Sequence, residues 1–283
     1  MTRLLHGRPL AERITADLAA RSEALKARGT QPTLRIVSVG ADPAGNAYAG
    51  RLAKAGQALG VHVVEAALAR DTTESELIAA LERAGADVSV HGVLLLTPLP
   101  GKLDEGHIVD HIPVAKDVEG MHPFNVGFLA DGRPRFVPST AEASLELLKF
   151  YEVPLRGTRA LIVGRSTVIG RPAANLLLLK DATVTIAHSK TVDLARHTRD
   201  AQVIIIATGR AGFLRGDMVS KGVVVIDAGI NVTPNGIVGD VDVESVSAVA
   251  DALSPVPGGL GTVTTALLLR NVLAATERQV GGG

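Results

Sequence analysis

The stretch Arg159 to Lys190, RALIVGRSTVIGRPAANLLLLKDATVTIAHSK, constrains the fold more than any other part of the chain. An apolar run, Ala160 to Val163, stops at Gly164, and a helix-like segment resumes at Gly170 carrying Ala174, Leu177 and Leu178. A second strand-like run, Ala182 to Ala187, follows. Strand, glycine turn, helix and strand within about 30 residues make a βαβ unit, whose first turn sets backbone N–H groups and a helix N-terminus where a phosphate can sit. The glycine spacing is GxSxxxG where the dinucleotide fingerprint is GxGxxG, and alone it also reads as a plain strand-to-helix turn. The end of the second strand is more informative. An NAD site places an acidic residue there for the ribose 2′-hydroxyl, whereas this chain has His188, Ser189 and Lys190, with Arg165 in the turn. A hydroxyl and cations suit a 2′-phosphate, so the residues point to NADP.

Composition narrows the class. At 283 residues and 46% hydrophobic content, the chain can build one large or two medium cores. Lys plus Arg and Asp plus Glu both number 29, so no net charge steers it toward nucleic acid or an anionic membrane. Aromatics make up 2% with no Trp, which argues against base-stacking platforms. The absence of Cys excludes disulfides, thiolate metal sites and a thiol nucleophile. No apolar run approaches the ~18 residues of a membrane-spanning helix. Arg3, Arg8 and Arg13 near the N-terminus are interrupted by Glu12 and Asp17, which reads as a folded amphipathic helix and not a transit peptide. The expected location is cytoplasmic.

The rest of the chain alternates strand and helix. A helix from Pro9 carries Leu10, Ile14, Leu18 and Leu25 on one stripe, and Gly29 stops it. A strand, Leu34 to Val39, leads through Asp42 and Pro43, as N-cap and first helical residue, into a helix ending at Leu59. Its expected inward stripe is Tyr48, Leu52, Ala55 and Leu59. A strand from Val61 to Leu68 precedes Thr73 and Glu76, which have the spacing of a capping box. The apolar strand Val90 to Leu96 ends in Thr97-Pro98-Leu99-Pro100-Gly101, a stiff loop at the carboxyl edge of the sheet, where ligands bind in open α/β folds. Lys116 to Gly120 forms a second charged loop able to reach that edge. Pro154 to Gly157 reads as a hinge, Asn235-Gly236 as a hairpin turn and Gly281 to Gly283 as a disordered tail. Ser254 to Gly261, SPVPGGLG, suits a loop that lets a ligand approach backbone. His107 and His111 have the i, i+4 spacing of a helical metal pair, but no carboxylate motif surrounds them, so they read as a solvated face and no metal is expected. His188 reads as a strand-end residue.

Seven segments together resemble the bifunctional methylenetetrahydrofolate dehydrogenase/cyclohydrolase family over nearly the whole chain. They are VGADPAGNAY (Val39 to Tyr48), PLP (Pro98 to Pro100), KDVEGMHPFNVG (Lys116 to Gly127), VGRSTVIGRP (Val163 to Pro172), HSKT (His188 to Thr191), DAGIN (Asp227 to Asn231) and PVPGGLG (Pro255 to Gly261). The resemblance implies two α/β domains flanking a cleft, the second a Rossmann-like NADP-binding domain, together with a homodimer and a tetrahydrofolate-type substrate. It places the folate-binding catalytic domain at 1–138, the NADP-binding domain at 139–261, and a C-terminal helix, 262–279, packed back on the first domain. Carried over by position, Gly164, Arg165, Ser166, Ser189 and Ile230 would contact the cofactor. Tyr48, Glu119 and the loop Pro257-Gly258-Gly259 would lie on the folate side, with Tyr48 and Glu119 as the catalytic candidates.

Two departures from the family bear on the chemistry. Where the family has a catalytic lysine four residues after the tyrosine, this chain has Leu52; where it has the partner glutamine, this chain has Leu96. Glu119 replaces an aspartate and keeps the carboxylate. Lys54 lies about 200° round the helix from Leu52 and is a poor substitute. Dehydrogenation expels a hydride and moves no proton, so it needs positioning. Hydrolysis of the methenyl product needs a titratable group within hydrogen-bond reach, which leucine cannot supply. The sequence therefore predicts a retained dehydrogenase with cyclohydrolase lost or very weak. The alternatives are full bifunctionality through another acid/base, a non-catalytic folate or nucleotide binder, and a dehydrogenase for another carrier.

Overall fold

A computed structural model describes residues 2–40, 43–101, 103–234 and 236–281. The chain opens with β1 (Arg3–Leu4), α1 (Arg8–Ala27), β2 (Thr33–Val39), α2 (Pro43–Leu59), β3 (His62–Leu68), α3 (Glu74–Ala86) and β4 (Gly92–Leu95). Three helices follow: α4 (Glu105–Val109), α5 (Pro123–Ala130) and α6 (Ser139–Phe150). Next come β5 (Arg159–Val163), α7 (Gly170–Leu178), β6 (Thr183–Ala187), α8 (Leu194–Asp200), β7 (Val203–Ile206) and β8 (Val224–Asp227). The last elements are β9 (Asn231–Thr233), β10 (Gly236–Val238), α9 (Val243–Ser247), β11 (Ala252–Leu253) and α10 (Leu260–Gly281). They form two compact units, Met1–Glu12 with Pro138–Thr264 and Arg13–Val137 with Thr265–Gly283.

The first unit is built on a six-stranded sheet of order β1-β11-β8-β7-β5-β6, every neighbouring pair parallel. Strand residues alternate between two covered faces. Leu161, Val163, Ile204, Ile206 and Val225 share one core, while Ile162, Ile205 and Ile226 are buried between them. Cover on both faces is what a parallel sheet requires, and it explains the unbroken apolar runs in these strands. From β5 the chain steps outward to β6 and then reverses to β7, so the topological switch point lies between β5 and β7.

Three sequence expectations are corrected, two of them in this unit. The first twelve residues belong here and not with the segment that follows them, because Arg3 and Leu4 pair with Ala252 and Leu253 at the sheet edge. Two residues carry no periodicity from which such a pairing could be read. Pro154 to Gly157 is no hinge but a turn inside the unit, tied by the Gly157 N–H donating to Asp181 O at 2.8 Å and the Thr158 hydroxyl donating to Pro154 O at 3.0 Å. Gly281 closes α10 in helical conformation instead of beginning a disordered tail. The expected N-cap Asp42, the hairpin residue Asn235, and Gly282 and Gly283 lie outside the described residues.

The second unit holds a three-stranded parallel sheet of order β3-β2-β4. Val37, Val39, Leu77, Leu81, Val93, Leu95 and Ile108 share its core. The capping box forms at the start of α3: Thr73 Oγ1 accepts from the Glu76 N–H at 3.3 Å, and the Glu76 carboxylate accepts from the Thr73 N–H at 2.8 Å. The later part of α10 is anchored to this unit by polar contacts. Asn271 Nδ2 donates to Val118 O at 2.8 Å and Val137 O at 3.4 Å, Gln279 Nε2 donates to His91 O at 2.7 Å, and Arg21 holds Glu277 through two bonds of 2.9 and 2.7 Å. Among the described residues no helix is long and apolar enough to cross a membrane.

Because Asn271 is buried, replacing it by leucine leaves buried carbonyls without their donor. Urea denaturation of Asn271→Leu should show about 1–3 kcal/mol less unfolding free energy than the parent.

Candidate active site

In the six-stranded unit the dinucleotide cradle begins where β5 ends. Gly164 has φ 132°, and a Cβ there would collide with the Ala207 carbonyl oxygen at the end of β7. A Cβ on Gly170 would collide with Gly164 O. The two glycines therefore allow the switch-point turn to fold tightly onto its neighbours, the role glycines play in phosphate-binding turns. Ser166 Oγ accepts from the Ile169 N–H at 3.1 Å and the Gly170 N–H at 3.4 Å, satisfying two amides at the entry to α7. Arg165 and Ser166 are exposed on the turn, and Ser189 and Lys190 are exposed just past β6. No acidic residue stands at that strand end; His188 Nδ1 instead accepts from the Lys190 N–H at 3.1 Å and shapes the turn. This arrangement fits a dinucleotide carrying a 2′-phosphate.

The carboxyl edge of the same sheet holds two buried aspartates that the sequence reading did not single out. Asp227, at the end of β8, accepts from the Gly229 N–H at 2.9 Å and the Asp240 and Val241 N–H groups, both at 3.0 Å. Asp240 accepts from Thr208, Gly209, Arg210 and Asn231. The pair interlocks through glycines: a Cβ on Gly229 would strike the Asp240 carboxyl, and one on Gly239 would strike the Asp227 carboxyl. Together they close the base of the β9–β10 hairpin, leaving Ile230 65% exposed where a ligand can reach it. The signals in the sequence were the DAGIN segment that begins at Asp227 and a Gly-Asp pair at 239–240, the latter common in solvated turns.

The Pro257-Gly258-Gly259 loop follows β11 and rests on the N-terminal segment. The Gly7 N–H donates to Gly258 O at 2.9 Å, and a Cβ on Gly7 would collide with Gly259 O. Pro257 and Gly258 are exposed, while Gly259 is buried.

In the three-stranded unit, Tyr48 is half-buried in the second turn of α2, with the Arg51 guanidinium 5.6 Å from its ring centroid. The buried seam of α2 is Ala49, Leu52, Gly56 and Leu59, rotated from the expected stripe so that Tyr48 and Ala55 stand at its margin. Gly56 accounts for the rotation: a Cβ there would lie 2.6 Å from a Val63 methyl, so the helix approaches β3 on that side. Leu52 is 0% exposed, Leu96 is half-buried just past β4, and Lys54 is exposed.

Glu119 is half-buried on a loop that lies against β4 through a parallel bridge between Val93 and Asp117. Asp117 is the loop's organiser, accepting from the Met121 N–H at 3.1 Å, the His122 N–H at 2.8 Å and Asn125 Nδ2 at 2.8 Å. Burial pushes its carboxyl above the usual carboxylate range, against the pull of these bonds. Lys116, the first residue of the charged loop 116–120, donates to Gly85 O and Asp87 O at the end of α3, both at 2.8 Å. His107 Nδ1 pairs with Glu74 at 2.7 Å and His111 Nδ1 with Glu82 at 3.1 Å, both glutamates lying on α3.

A parallel sheet with a glycine turn at its switch point defines a nucleotide-binding α/β unit of the dehydrogenase kind. Comparison with known proteins specifies which. The family model for the tetrahydrofolate dehydrogenase/cyclohydrolase NAD(P)-binding domain matches residues 138–280, and that for the catalytic domain matches residues 5–119. A bifunctional protein FolD of Roseiflexus sp. (strain RS-1) is 44% identical over 279 residues, covering 98% of this chain and 97% of that one. The crystal structure of the bifunctional FolD enzyme from Campylobacter jejuni is similar with a TM-score of 0.94 at 41% identity, over 98% of this chain and 100% of that one. The Trypanosoma brucei enzyme, complexed with NADP cofactor and inhibitor, has a TM-score of 0.93 at 32% identity, over 99% and 98%. The chain belongs to the tetrahydrofolate dehydrogenase/cyclohydrolase family.

Burial pushes the Asp227 carboxyl up to about 6; the three backbone N–H bonds oppose the shift and the charge of Asp240 adds to it. A folded-state value above the unfolded one means the native state binds the extra proton, so this group's contribution to stability is present at low pH and lost as pH rises through about 6. Denaturation of parent and Asp227→Asn across pH 5 to about 7.5 should show the variant gaining on the parent as pH rises.

Proposed function

We propose that the protein is an NADP-dependent 5,10-methylenetetrahydrofolate dehydrogenase in which the cyclohydrolase step is lost or very weak. The observation that carries the second half is the complete enclosure of Leu52, with Leu96 half-buried at the end of β4. These are the two positions where the resemblance to the family puts a lysine and a glutamine. Bound NADP would supply the hydride acceptor. The chain's own work in that step is positioning: the Gly164–Gly170 turn, Arg165 and Ser189 hold the dinucleotide, while Tyr48, Glu119 and Pro257 to Gly259 serve the folate side.

Expelling a hydride from the carbon between two nitrogens leaves an amidinium that those nitrogens stabilise, so no side chain has to move a proton. Attack of water on that product does require one, and Leu52 and Leu96 can neither take up nor deliver it. Replacing the polar pair by two leucines leaves neither former partner orphaned, which would cost about 1–3 kcal/mol in a buried setting. Lys54 supports no rescue, because it is exposed on another face of α2.

One preparation assayed for both activities tests the proposal. NADPH should form on addition of methylenetetrahydrofolate, with NADP preferred to NAD, while hydrolysis of methenyltetrahydrofolate should stay near the buffer rate. Catalysed hydrolysis several orders of magnitude above buffer defeats the assignment, and binding without turnover makes the protein a binder. Installing Leu52→Lys with Leu96→Gln should raise hydrolysis by about a hundredfold, at the low end of what a positioned acid/base contributes. The homodimer implied by the resemblance is proposed too; sedimentation showing only monomer at micromolar concentration would refute it.

A further inference from the structure

The loops that leave β7 and β8 are fastened to a single carboxylate outside both of them. Asp240 is 0% exposed. It accepts from the Thr208 hydroxyl at 2.9 Å, the Gly209 N–H at 2.9 Å, the Arg210 N–H at 3.0 Å, Asn231 Nδ2 at 2.8 Å, and also from the Thr208 N–H. Five donors saturate a carboxylate, which has about four lone-pair sites. Three of them are consecutive amides of the loop after β7, and the fourth and fifth come from the Thr208 side chain and from the first residue of β9.

This pattern divides the carboxyl edge into two parts. The amides of Thr208 to Arg210 already face an internal anion, so that loop cannot cradle a ligand phosphate. Phosphate binding is left to the Gly164–Gly170 turn. In a doubly wound sheet the strand following the glycine turn reads the adenosine ribose, which places the adenosine end at β5 and β6. The other half of the dinucleotide then falls toward β7 and β8, the loops Asp240 holds.

Resting on the NADP reading above, we propose that Asp240 is the positioning residue for the nicotinamide half of the cofactor site, fixing the 208–210 loop and the Ile230–Asn231 segment before the cofactor arrives. It acts through these loops and does not itself touch the cofactor. Preorganised loops bind more tightly because the ordering cost is met during folding.

The test uses two probes of different reach, NADPH and 2′,5′-ADP, which carries only the adenosine half. Fluorescence titration of Asp240→Asn should show NADPH bound about tenfold or more weakly, on the scale of losing one or two charge-assisted hydrogen bonds. Calorimetry should show 2′,5′-ADP bound within about twofold of the parent, the tolerance expected for a distant site. In the cofactor-free protein, the amides of Thr208, Gly209 and Arg210 should be protected from hydrogen exchange in the parent and lose protection in the variant. Should Asp240→Asn fail to fold, Thr208→Val and Asn231→Ala each remove one donor and should weaken NADPH in the same selective way, by smaller factors. Equal weakening of both probes, or of neither, overturns the proposal. Failure of the parent to bind 2′,5′-ADP strikes instead at the NADP reading on which it rests.

Discussion

The contact between the Gly164 turn and the Ala207 carbonyl is the constraint on which the six-stranded unit turns. At a switch point two neighbouring strands send their chains to opposite faces of the sheet, and the gap they leave is where a dinucleotide is held. Here the gap is narrow enough that a single methyl at residue 164 would meet backbone. Everything nearby follows from that closeness: Gly170 lets α7 begin directly above the turn, and Ser166 satisfies amides that have no helical partner. The shape of the turn is thus set by backbone, while Arg165, Ser189 and Lys190 stand exposed beside it.

The three-stranded unit follows a different logic. Its polar side chains mostly bond to main chain: Asp117 to amides 121 and 122, Lys116 to carbonyls at the end of α3, Asn271 to carbonyls 118 and 137. They shape the loop that carries Glu119. At the two positions where the resemblance to the family puts a lysine and a glutamine, this chain has Leu52, fully buried, and Leu96, half-buried just past β4.

Much of this architecture was legible in the sequence, for physical reasons. The βαβ unit at 159–190 announces itself because buried parallel strands must be apolar throughout and the turn must be glycine; the α3 capping box is a local pattern in which both partners lie within four residues. What was not legible is non-local. β1 has two residues, and nothing in them names a partner some 250 positions away. The rotation of the α2 seam depends on Gly56 approaching Val63, which periodicity cannot weigh. Pro154 to Gly157 misled because proline and glycine mark any turn, within a unit or at its border. Asp240 escaped notice because an aspartate beside a glycine ordinarily faces solvent, and only the fold turns it inward.

The grouping of the chain ends has a consequence for biosynthesis. The first twelve residues complete the sheet of the unit made last, while the final stretch of α10 belongs to the unit made first. A nascent chain that has emerged as far as Val137 still lacks the helix whose Asn271 secures its 118 and 137 carbonyls, and its opening strand has no neighbour until β11 appears. Neither half is therefore complete by itself: termination near Val137 leaves one fragment without its share of α10, and cleavage there leaves two fragments, each lacking a segment of its unit.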